Sequence, residues 1–367
     1  MILIIYGVLG RYIQLRGTTI LSNFKQVTKK ASSNNYLSQW GEDTLLIYSP
    51  TSLSHINITN TKMHLMNYRV FKNDKSRIDE VYKNSQKYKN VISIGGGAAT
   101  DIAKYIATIM NATFICIPAM LSTNAYSTNK AALLSGKGKL THAAKLADQI
   151  IFDRSLLLKA REQNLYGLSD VLSIHTALFD WKLSNRKSDE ALDSNIYKLA
   201  NSLLFEVVDY ILNNNVQTLS NNIEELYEYI GISGDITNIY GSGRPESGSE
   251  HIFAKSLESR TIIPHGISVA LGIILVSIMQ GSYSEDIERC IEKLGSLKYL
   301  DQYNVTRETL KSVLLALKPR QDRYSIIDEV KINEIYVANL VNEFEERTGI
   351  ILETPEYSIS ANAIQLT

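Results

Sequence analysis

The sequence has little cysteine, no excess of charge and no long apolar run. Two cysteines in 367 residues, Cys116 and Cys290, cannot form a disulfide framework, so we expect a reducing, cytoplasmic location. Lysine plus arginine number 38, as do aspartate plus glutamate, and the formal net charge is zero. This balance removes the broad attraction on which nucleic-acid and anionic-membrane binding usually depend. A small molecule, and not a nucleic acid, is therefore the expected partner.

The apolar N-terminal stretch is too short to cross a bilayer. Residues 1–9 contain no basic residue and Arg11 follows closely, so neither a signal peptide nor membrane insertion is predicted. We expect an edge strand here, which would be better paired, for example in a homodimer, than left exposed.

Short β-rich runs alternate with polar or amphipathic segments over the first 155 residues. The runs are residues 44–49, 68–71, 90–94 and 113–117. Three of them are almost wholly apolar, as expected for strands covered on both faces. This alternation predicts a doubly wound parallel sheet. The Lys-, Ser- and Asn-rich residues 23–35 are expected to be an exposed loop or a weak helix start.

Helical patterns dominate after residue 155. Long ones occupy residues 188–213, 222–231 and 268–280. No Pro- or Ser-rich linker separates the two halves, so a direct connection with a cleft between packed domains is expected. We therefore predict an α/β domain over residues 1–155 and an all-helical domain over residues 156–367.

Gly95, Gly96 and Gly97 directly follow the run at 90–94 and precede a helical pattern. Glycines there let the backbone approach a ligand closely, while the amides at the new helix start can face a phosphate. The spacing is not GxGxxG, so a tight turn without a ligand is the alternative. Asp101, in the first helical turn, either offsets the helix dipole or lies near the ribose or nicotinamide of a nucleotide.

Two histidines, His251 and His265, are fourteen residues apart on adjoining helical patterns. Such a pair can converge on one metal, and a carboxylate from elsewhere would complete an open catalytic site. From spacing alone, two satisfied polar side chains are the alternative. Asp170 begins an apolar helical stretch and is, taken by itself, an ordinary helix N-terminal residue.

Several motifs together resemble the sn-glycerol-1-phosphate dehydrogenase family. Its superfamily also includes glycerol dehydrogenase, iron-containing alcohol dehydrogenases and dehydroquinate synthase. The motifs are the glycine turn with Asp101, residues 117–124 with Lys130, residues 167–170 running to Asp180-Trp181, residues 243–251, His265-Gly266 with Val269 and Gly272, and residues 320–324. They cover about residues 90–330 in register, and RPxSGSEH is the most specific of them.

The resemblance implies an N-terminal NAD(P)-binding domain, a C-terminal metal-binding domain and one divalent metal. Zinc is the first expectation, with iron(II) or nickel(II) as alternatives. The implied metal ligands are Asp170, His251 and His265. The glycine turn carries over as the pyrophosphate site, and the other implied cofactor contacts are Asp101, Pro118, Ser122 and Thr123.

Two positions depart from the family's pattern. Asn124 stands where an Asp is usual, which removes a negative charge near the substrate or nicotinamide. Lys255 stands one helical turn after His251, where a second His or another polar residue is usual, and its ammonium is expected beside the metal. With Lys130 and Arg244 it could form a cationic cluster for a substrate phosphate, although a solvated helix residue is the alternative for Lys255.

The implied reaction is the reduction of dihydroxyacetone phosphate, or a close analogue, by NADH or NADPH with the metal as Lewis acid. No general acid is evident, so a water or the substrate's own hydroxyl is expected to relay the proton. One alternative is a sugar-phosphate cyclase of the dehydroquinate synthase kind, although SEHIFAK replaces its GHxxGH-type helix. Another is a cofactor-binding protein without the ancestral activity. Residues 44–49 end without a carboxylate, so NADP is tolerated beside NAD.

Overall fold

The last strand among the described residues ends at Phe152, and the chain after it is helical. The computed structural model describes residues 3–7, 10–15, 18–22, 27–58, 62–83, 87–136, 138–298 and 300–353. The strands are β1 (Leu3–Gly7), β2 (Gly10–Leu15), β3 (Thr18–Ser22), β4 (Val27–Lys30), β5 (Thr44–Tyr48), β6 (His64–Asn67), β7 (Asn90–Gly95), β8 (Thr113–Pro118), β9 (Lys130–Ser135), β10 (Gly138–Ala143) and β11 (Gln149–Phe152).

The helices fall into a short early set and a long late set. The early ones are α1 (Ser33–Leu37), α2 (Pro50–Leu53), α3 (Lys75–Tyr82) and α4 (Gly97–Ile109). The late ones are α5 (Arg154–Leu157), α6 (Arg161–Asn164), α7 (Tyr166–Leu172), α8 (Ile174–Lys187), α9 (Ser194–Asn213), α10 (Val216–Asn221), α11 (Ile223–Tyr240), α12 (Ser249–Glu258), α13 (His265–Gln280), α14 (Glu285–Lys293), α15 (Arg307–Leu315), α16 (Ile326–Glu329) and α17 (Glu334–Thr348).

The main sheet has six parallel strands in the order β4-β11-β8-β7-β5-β6. Leu45 and Ile47 of β5 pack into one apolar cluster, while Leu46 between them packs into the other. Burial on both faces explains why continuous apolar runs marked β5, β7 and β8 correctly. The predicted α/β region on a parallel sheet, followed by a helical region, is confirmed; the domain boundary at residue 155 stays a prediction.

Two segments differ from the sequence prediction. Residues 68–71 form a 3-10 helix rather than a strand, because the Asn67 side chain accepts a hydrogen bond from the Arg69 amide and caps the turn. The strand is the preceding β6. Within 23–35, residues 27–30 form the strand β4 instead of a loop, whereas α1 begins at Ser33 and agrees with the predicted helix start; 23–26 lie outside the described residues. As an edge strand paired with β11 alone, β4 leaves Lys29 and Lys30 exposed to solvent.

Two small antiparallel sheets accompany the main one. β1, β2 and β3 form the first, with β1 at its edge, which confirms the strand predicted near the N-terminus; residues 1–2 and 8–9 lie outside the described part. Pairing of β1 in a homodimer stays a prediction. β9 and β10 form a hairpin that the sequence analysis did not predict, and it carries Lys130 and Lys139.

The late helices keep the predicted character but shift their ends. Instead of starting at residue 188, α9 starts at Ser194, because the Asp193 side chain accepts hydrogen bonds from the amides of Asn195 and Ile196. α11 continues beyond residue 231 and ends before Gly241, whose φ is +87°. Within the described residues no helix is long and apolar enough to cross a membrane.

Candidate metal and substrate site

Asp170, His251 and His265 come together although three different helices carry them. One carboxylate oxygen of Asp170 lies 3.4 Å from Nε2 of His265 and 3.8 Å from Nε2 of His251. The two imidazole ring centres are 5.4 Å apart. All three candidate ligand atoms lie within 4.8 Å of one another. The geometry therefore brings together the three residues that the resemblance implied as one ligand set.

Two further carboxylates, which the sequence analysis missed, hold the other nitrogen of each histidine. Glu250 lies 2.8 Å from Nδ1 of His251, and Glu258 lies 2.5 Å from Nδ1 of His265. Their only signal in the sequence was their position on α12, beside and seven residues after His251. These bonds assign the proton to Nδ1 in both rings, which leaves each Nε2 lone pair directed at Asp170.

The convergence of these atoms fits a cation. When both imidazoles are neutral and protonated on Nδ1, two Nε2 lone pairs and one carboxylate oxygen meet. The inward oxygen of Asp170 is buried without a hydrogen-bond partner among the described residues. Burial raises the pKa of Asp170, because the two histidines only partly stabilise its charge. Two imidazoles and one carboxylate form a ligand set for zinc or iron(II), with positions open for substrate.

Close helix contacts at two glycines put these ligands in place. A Cβ on Gly266 would lie 2.2 Å from the carbonyl oxygen of Tyr166, so the start of α13 packs directly on the start of α7. A Cβ on Gly272 would lie 2.8 Å from the carbonyl oxygen of Glu250, which brings α13 against α12. Side chains at either position would push His265 away from the other two ligands.

Asp180, part of a motif in the sequence, anchors the helix that carries His251. Its carboxylate accepts hydrogen bonds from the Ser249 amide at 2.7 Å, the Ile326 amide at 3.0 Å and the Gln280 side chain at 3.0 Å. Burial, with the nearby Glu250, raises the pKa of Asp180 to about 6. Because it fixes the first turn of α12, Asp180 positions His251 without lining the cleft.

A cavity of about 510 Å³ contains the histidine–aspartate cluster and reaches the glycine turn. The sequence-predicted residues that line it are Gly97, Asp101, Ser122, Thr123, Asn124, Lys130, Asp170, His251, Lys255 and His265. Gly95, Gly96, Pro118 and Arg244 are not among its lining residues. The cavity therefore joins most of the predicted cofactor, metal and substrate residues.

Arg244 was predicted to bind substrate, but it does not line the cavity. Its Nη2 donates to the carbonyl oxygens of Asp180 and Tyr324, at 3.1 and 2.9 Å, and pairs with Glu190 at 2.9 Å. The side chain is 1% exposed. We therefore do not retain Arg244 as a phosphate ligand; it joins α8 to the segment before α16.

Besides Lys130, four lysine and arginine side chains line the cavity, and we name them the cation cluster: Lys139, Lys255, Arg320 and Arg323. Of these four, only Lys255 was predicted from the sequence to bind substrate. Burial, together with Arg320, Lys139 and Arg323, lowers the pKa of Lys255 to about 8. Burial and Arg320 also lower the pKa of Arg323 to about 10. Cations that destabilise one another in this way create a strong site for an anion.

The cluster is only partly neutralised by neighbouring acids. Lys139 pairs with Glu258 at 3.2 Å, and Arg320 bonds Asp322 through Nε at 2.8 Å. In the described part of the chain no hydrogen bond or ion pair joins Lys255 to another side chain. Its ammonium is thus available to an anionic ligand.

The glycine turn packs tightly except at its middle residue. A Cβ on Gly95 would lie 2.8 Å from Cβ of Ala99, and one on Gly97 would lie 2.7 Å from Oγ1 of Thr123. A Cβ on Gly96 would meet nothing nearer than 3.8 Å. Gly96 precedes the first turn of α4 and offers no capping side chain, so the amides at this helix start are open to a phosphate.

Gly96→Val is expected to fill the space beside the α4 amides, because a Cβ there makes only ordinary contacts with Met120 and Ser122. A branched side chain there would occupy the volume through which a phosphate reaches the α4 amides, so KM for NADH and NADPH should rise at least about tenfold, the effect of roughly 1.4 kcal/mol of lost binding. Steady-state kinetics with varied cofactor measure it. Gly41→Val, where a Cβ meets nothing within 4 Å, is the control. An unchanged KM for both cofactors would contradict a cofactor site at this turn.

The fold belongs to a class that solved glycerol dehydrogenases and iron-containing alcohol dehydrogenases share. The family model described as iron-containing alcohol dehydrogenase matches residues 40–160. A probable glycerol dehydrogenase from Sinorhizobium meliloti 1021 superposes with a TM-score of 0.61 at 16% identity, over 89% of this chain and 97% of that one. Glycerol dehydrogenase from Schizosaccharomyces pombe gives 0.58 at 18% identity, over 90% and 93%.

Sequence comparison points to one branch of this class. The chain is 29% identical to the glycerol-1-phosphate dehydrogenase (NAD(P)+) of Picrophilus torridus, over 90% of this chain and 94% of that protein. It is 27% identical to the enzyme of the same name from Methanosphaera stadtmanae, over 69% and 73%. These similarities confirm the predicted resemblance to glycerol-1-phosphate dehydrogenases.

Proposed function

We propose that this chain is a metal-dependent dehydrogenase that reduces dihydroxyacetone phosphate to sn-glycerol-1-phosphate with NADH or NADPH. In this reaction the ketone, the reduced cofactor and one proton become a secondary alcohol and the oxidised cofactor. The observation that carries the proposal is that one cavity holds the histidine–aspartate cluster, the cation cluster and the start of α4. The names of the relatives supply the particular substrate.

Five side chains of the site each have a task in this reaction. When bound, a divalent metal on Asp170, His251 and His265 supplies a Lewis acid for the carbonyl, and NAD(P)H supplies the hydride. Glu250 and Glu258 hold the two imidazoles in one tautomer and orientation. Zinc is our first assignment for the metal, because this ligand set and an open position suit it.

The cation cluster is the proposed phosphate site. A phosphate dianion desolvated in the cavity would accept charge-assisted hydrogen bonds from the Lys255 ammonium and the Arg323 guanidinium. Nη1 of Arg323 donates to the carbonyl oxygen of Ser247 at 2.7 Å. The other two nitrogens of this guanidinium remain available to the phosphate. Lys130 belongs to the same hairpin as Lys139, and it lines the same cavity and adds to its positive charge.

The proposed cofactor site lies between the glycine turn and the segment after β8. Gly97, Ser122 and Thr123 line the cavity there. Asp101 lies 3.5 Å from the buried ammonium of Lys104, which also donates to the carbonyl oxygen of Lys130. This buried pair joins α4 to the hairpin and so holds the cofactor wall against the substrate wall. No carboxylate ends β5, which supports use of both NADH and NADPH.

The competing functions find less support. Relatives named as dehydrogenases disfavour a sugar-phosphate cyclase and a protein without activity. Convergence of the predicted ligands, with both histidine Nδ1 atoms held, also argues against loss of activity. A cytoplasmic location remains part of the proposal, and the free, buried thiols of Cys116 and Cys290 support it.

Oxidation of NADH and of NADPH with dihydroxyacetone phosphate tests the proposal directly. We expect one cofactor oxidised per ketone reduced, enantiospecific formation of sn-glycerol-1-phosphate, and loss of turnover after treatment with a chelator followed by recovery on adding zinc. Product formation without net cofactor oxidation would instead identify a cyclase. Turnover that survives metal removal, verified by elemental analysis, would refute the metal's role.

A further inference from the structure

The loop between α11 and α12 places one carboxyl group, that of Glu246, in the wall of the cavity. Both of its oxygens accept hydrogen bonds from Nδ2 of Asn124, at 3.0 and 2.9 Å. Nδ2 of Asn124 also lies 3.1 Å from Oγ of Ser233. Asn124 is therefore an amide that donates to a carboxyl group across the cleft. Burial raises the pKa of Glu246 to about 7, so this side chain places a titratable carboxyl group in contact with position 124, where the sequence lacks an acid.

The backbone around Glu246 is tied to the helix that carries Asp170. Oγ of Ser173 lies 2.6 Å from the carbonyl oxygen of Glu246 and 2.6 Å from that of Asp170. The charged groups that act most on Glu246 are Asp170 and His251, both members of the histidine–aspartate cluster. In the described residues, no cationic side chain forms an ion pair with Glu246. This carboxyl group thus lines the cavity that holds the histidine–aspartate cluster and, among the described residues, has no cation partner.

We propose that the carboxyl group of Glu246, held by Asn124, determines substrate specificity by hydrogen-bonding the free hydroxyl group of the hydroxyketone phosphate. The inference rests on the proposed function. A hydroxyketone phosphate presents two polar ends beside its carbonyl, and the cation cluster suits the phosphate. Without a cation partner, this carboxyl group hydrogen-bonds a hydroxyl group whether it is protonated or ionised, and it repels phosphate once ionised, so it selects the opposite end. It thereby fixes which way round the substrate lies.

The sharpest test compares two substrates in each holoenzyme variant. The first is dihydroxyacetone phosphate, and the second is the same ketone phosphate with a methyl group in place of the hydroxymethyl group. We expect wild type to prefer the first by at least about a hundredfold in kcat/KM, since a site built to bond a hydroxyl rejects its deoxy analogue strongly. In Glu246→Ala the preference should fall below about tenfold. Because this ratio is internal to each variant, partial loss of folded protein does not change it.

An exchange of the two side chains separates specificity from mere packing. Asn124→Asp alone places two carboxyl groups in contact and should lower activity. Combining Asn124→Asp with Glu246→Gln restores an amide–carboxyl pair and keeps one carboxyl group in the cavity, so the preference should recover to at least about tenfold. Glu285→Ala, at an exposed residue of α14, is the control and should keep the wild-type ratio.

The outcomes distinguish this inference from the proposed function. If wild type reduces dihydroxyacetone phosphate but Glu246→Ala loses activity equally on both substrates, the inference is overturned and the proposed function stands. If wild type turns over neither compound, the proposed function fails, and calorimetric Kd values for both compounds then decide the inference. Equal Kd values, or no binding of either compound, overturn it, whereas tighter binding of the hydroxylated compound, abolished in Glu246→Ala, supports it.

Discussion

His265→Ala is expected to release the metal and to lower kcat/KM for dihydroxyacetone phosphate at least about 10³-fold. The imidazole of His265 is one of the three proposed ligands, and its Nε2 lies 3.4 Å from Asp170. Loss of a Lewis acid removes several kcal/mol of transition-state stabilisation, and about 4 kcal/mol corresponds to a thousandfold in rate. Elemental analysis of the purified protein and steady-state kinetics measure the two effects together.

Two further variants show whether the effect belongs to the ligand set. Glu258→Gln leaves all three ligands in place but removes the charged partner of Nδ1 of His265, so metal affinity should fall by only about 10- to 100-fold. His55→Ala changes an exposed histidine outside the cavity and should match wild type. Metal content in His265→Ala equal to that of wild type would exclude the proposed ligand set.

The proposed metal ligands were predictable from the sequence only as a group. Asp170, His251 and His265 lie on three helices, and each alone suits an ordinary polar role. The resemblance to a family joined them, and the structure brings them within 4.8 Å. Glu250 and Glu258 escaped the sequence analysis because a glutamate on a helix is common, and only the folded structure shows that each contacts an imidazole nitrogen.

Some strands could likewise be predicted from a local sequence pattern, whereas others depend on distant partners. β5, β7 and β8 were predictable because both of their faces are buried, and continuous apolar runs record this directly. β4 and the β9–β10 hairpin were not, because an edge strand and a cleft-lining hairpin keep polar side chains on one face. Their pairing depends on partners elsewhere rather than on a local pattern.

The position of Arg244 shows what a sequence motif does not predict. Arg244 lies in the most specific motif, which favoured it as a phosphate ligand. Its partners, Asp180 and Glu190, are 64 and 54 residues away in the chain, and they hold the guanidinium outside the cavity. Arg320 and Arg323 line the cavity instead. They lie near the end of the region whose motifs resemble the family. Spacing within a motif does not reveal which of several arginines a distant carboxylate will engage.

Lys255→Ala is expected to lower kcat/KM for dihydroxyacetone phosphate by about 10- to 100-fold and that for unphosphorylated dihydroxyacetone by less than about threefold. A hydrogen bond to a charged group contributes about 1.5–3 kcal/mol, and 1.4 kcal/mol is tenfold. The two-substrate comparison isolates the phosphate contact from the chemistry of the carbonyl. Lys89→Ala, at an exposed lysine remote from the cavity, is the control. Equal losses on both substrates would assign Lys255 a structural task.

The pH dependence gives the same prediction an independent readout. Burial and the neighbouring Arg320, Lys139 and Arg323 lower the pKa of Lys255 to about 8, against the opposing influence of Glu258. The free enzyme therefore loses this positive charge as the pH rises through about 8, and kcat/KM for the phosphorylated ketone should fall there. Lys255→Arg keeps its charge at every working pH, so the decline should move to higher pH. A decline near pH 8 that persists in Lys255→Arg would have to arise from another group, and the phosphate site would then lack Lys255.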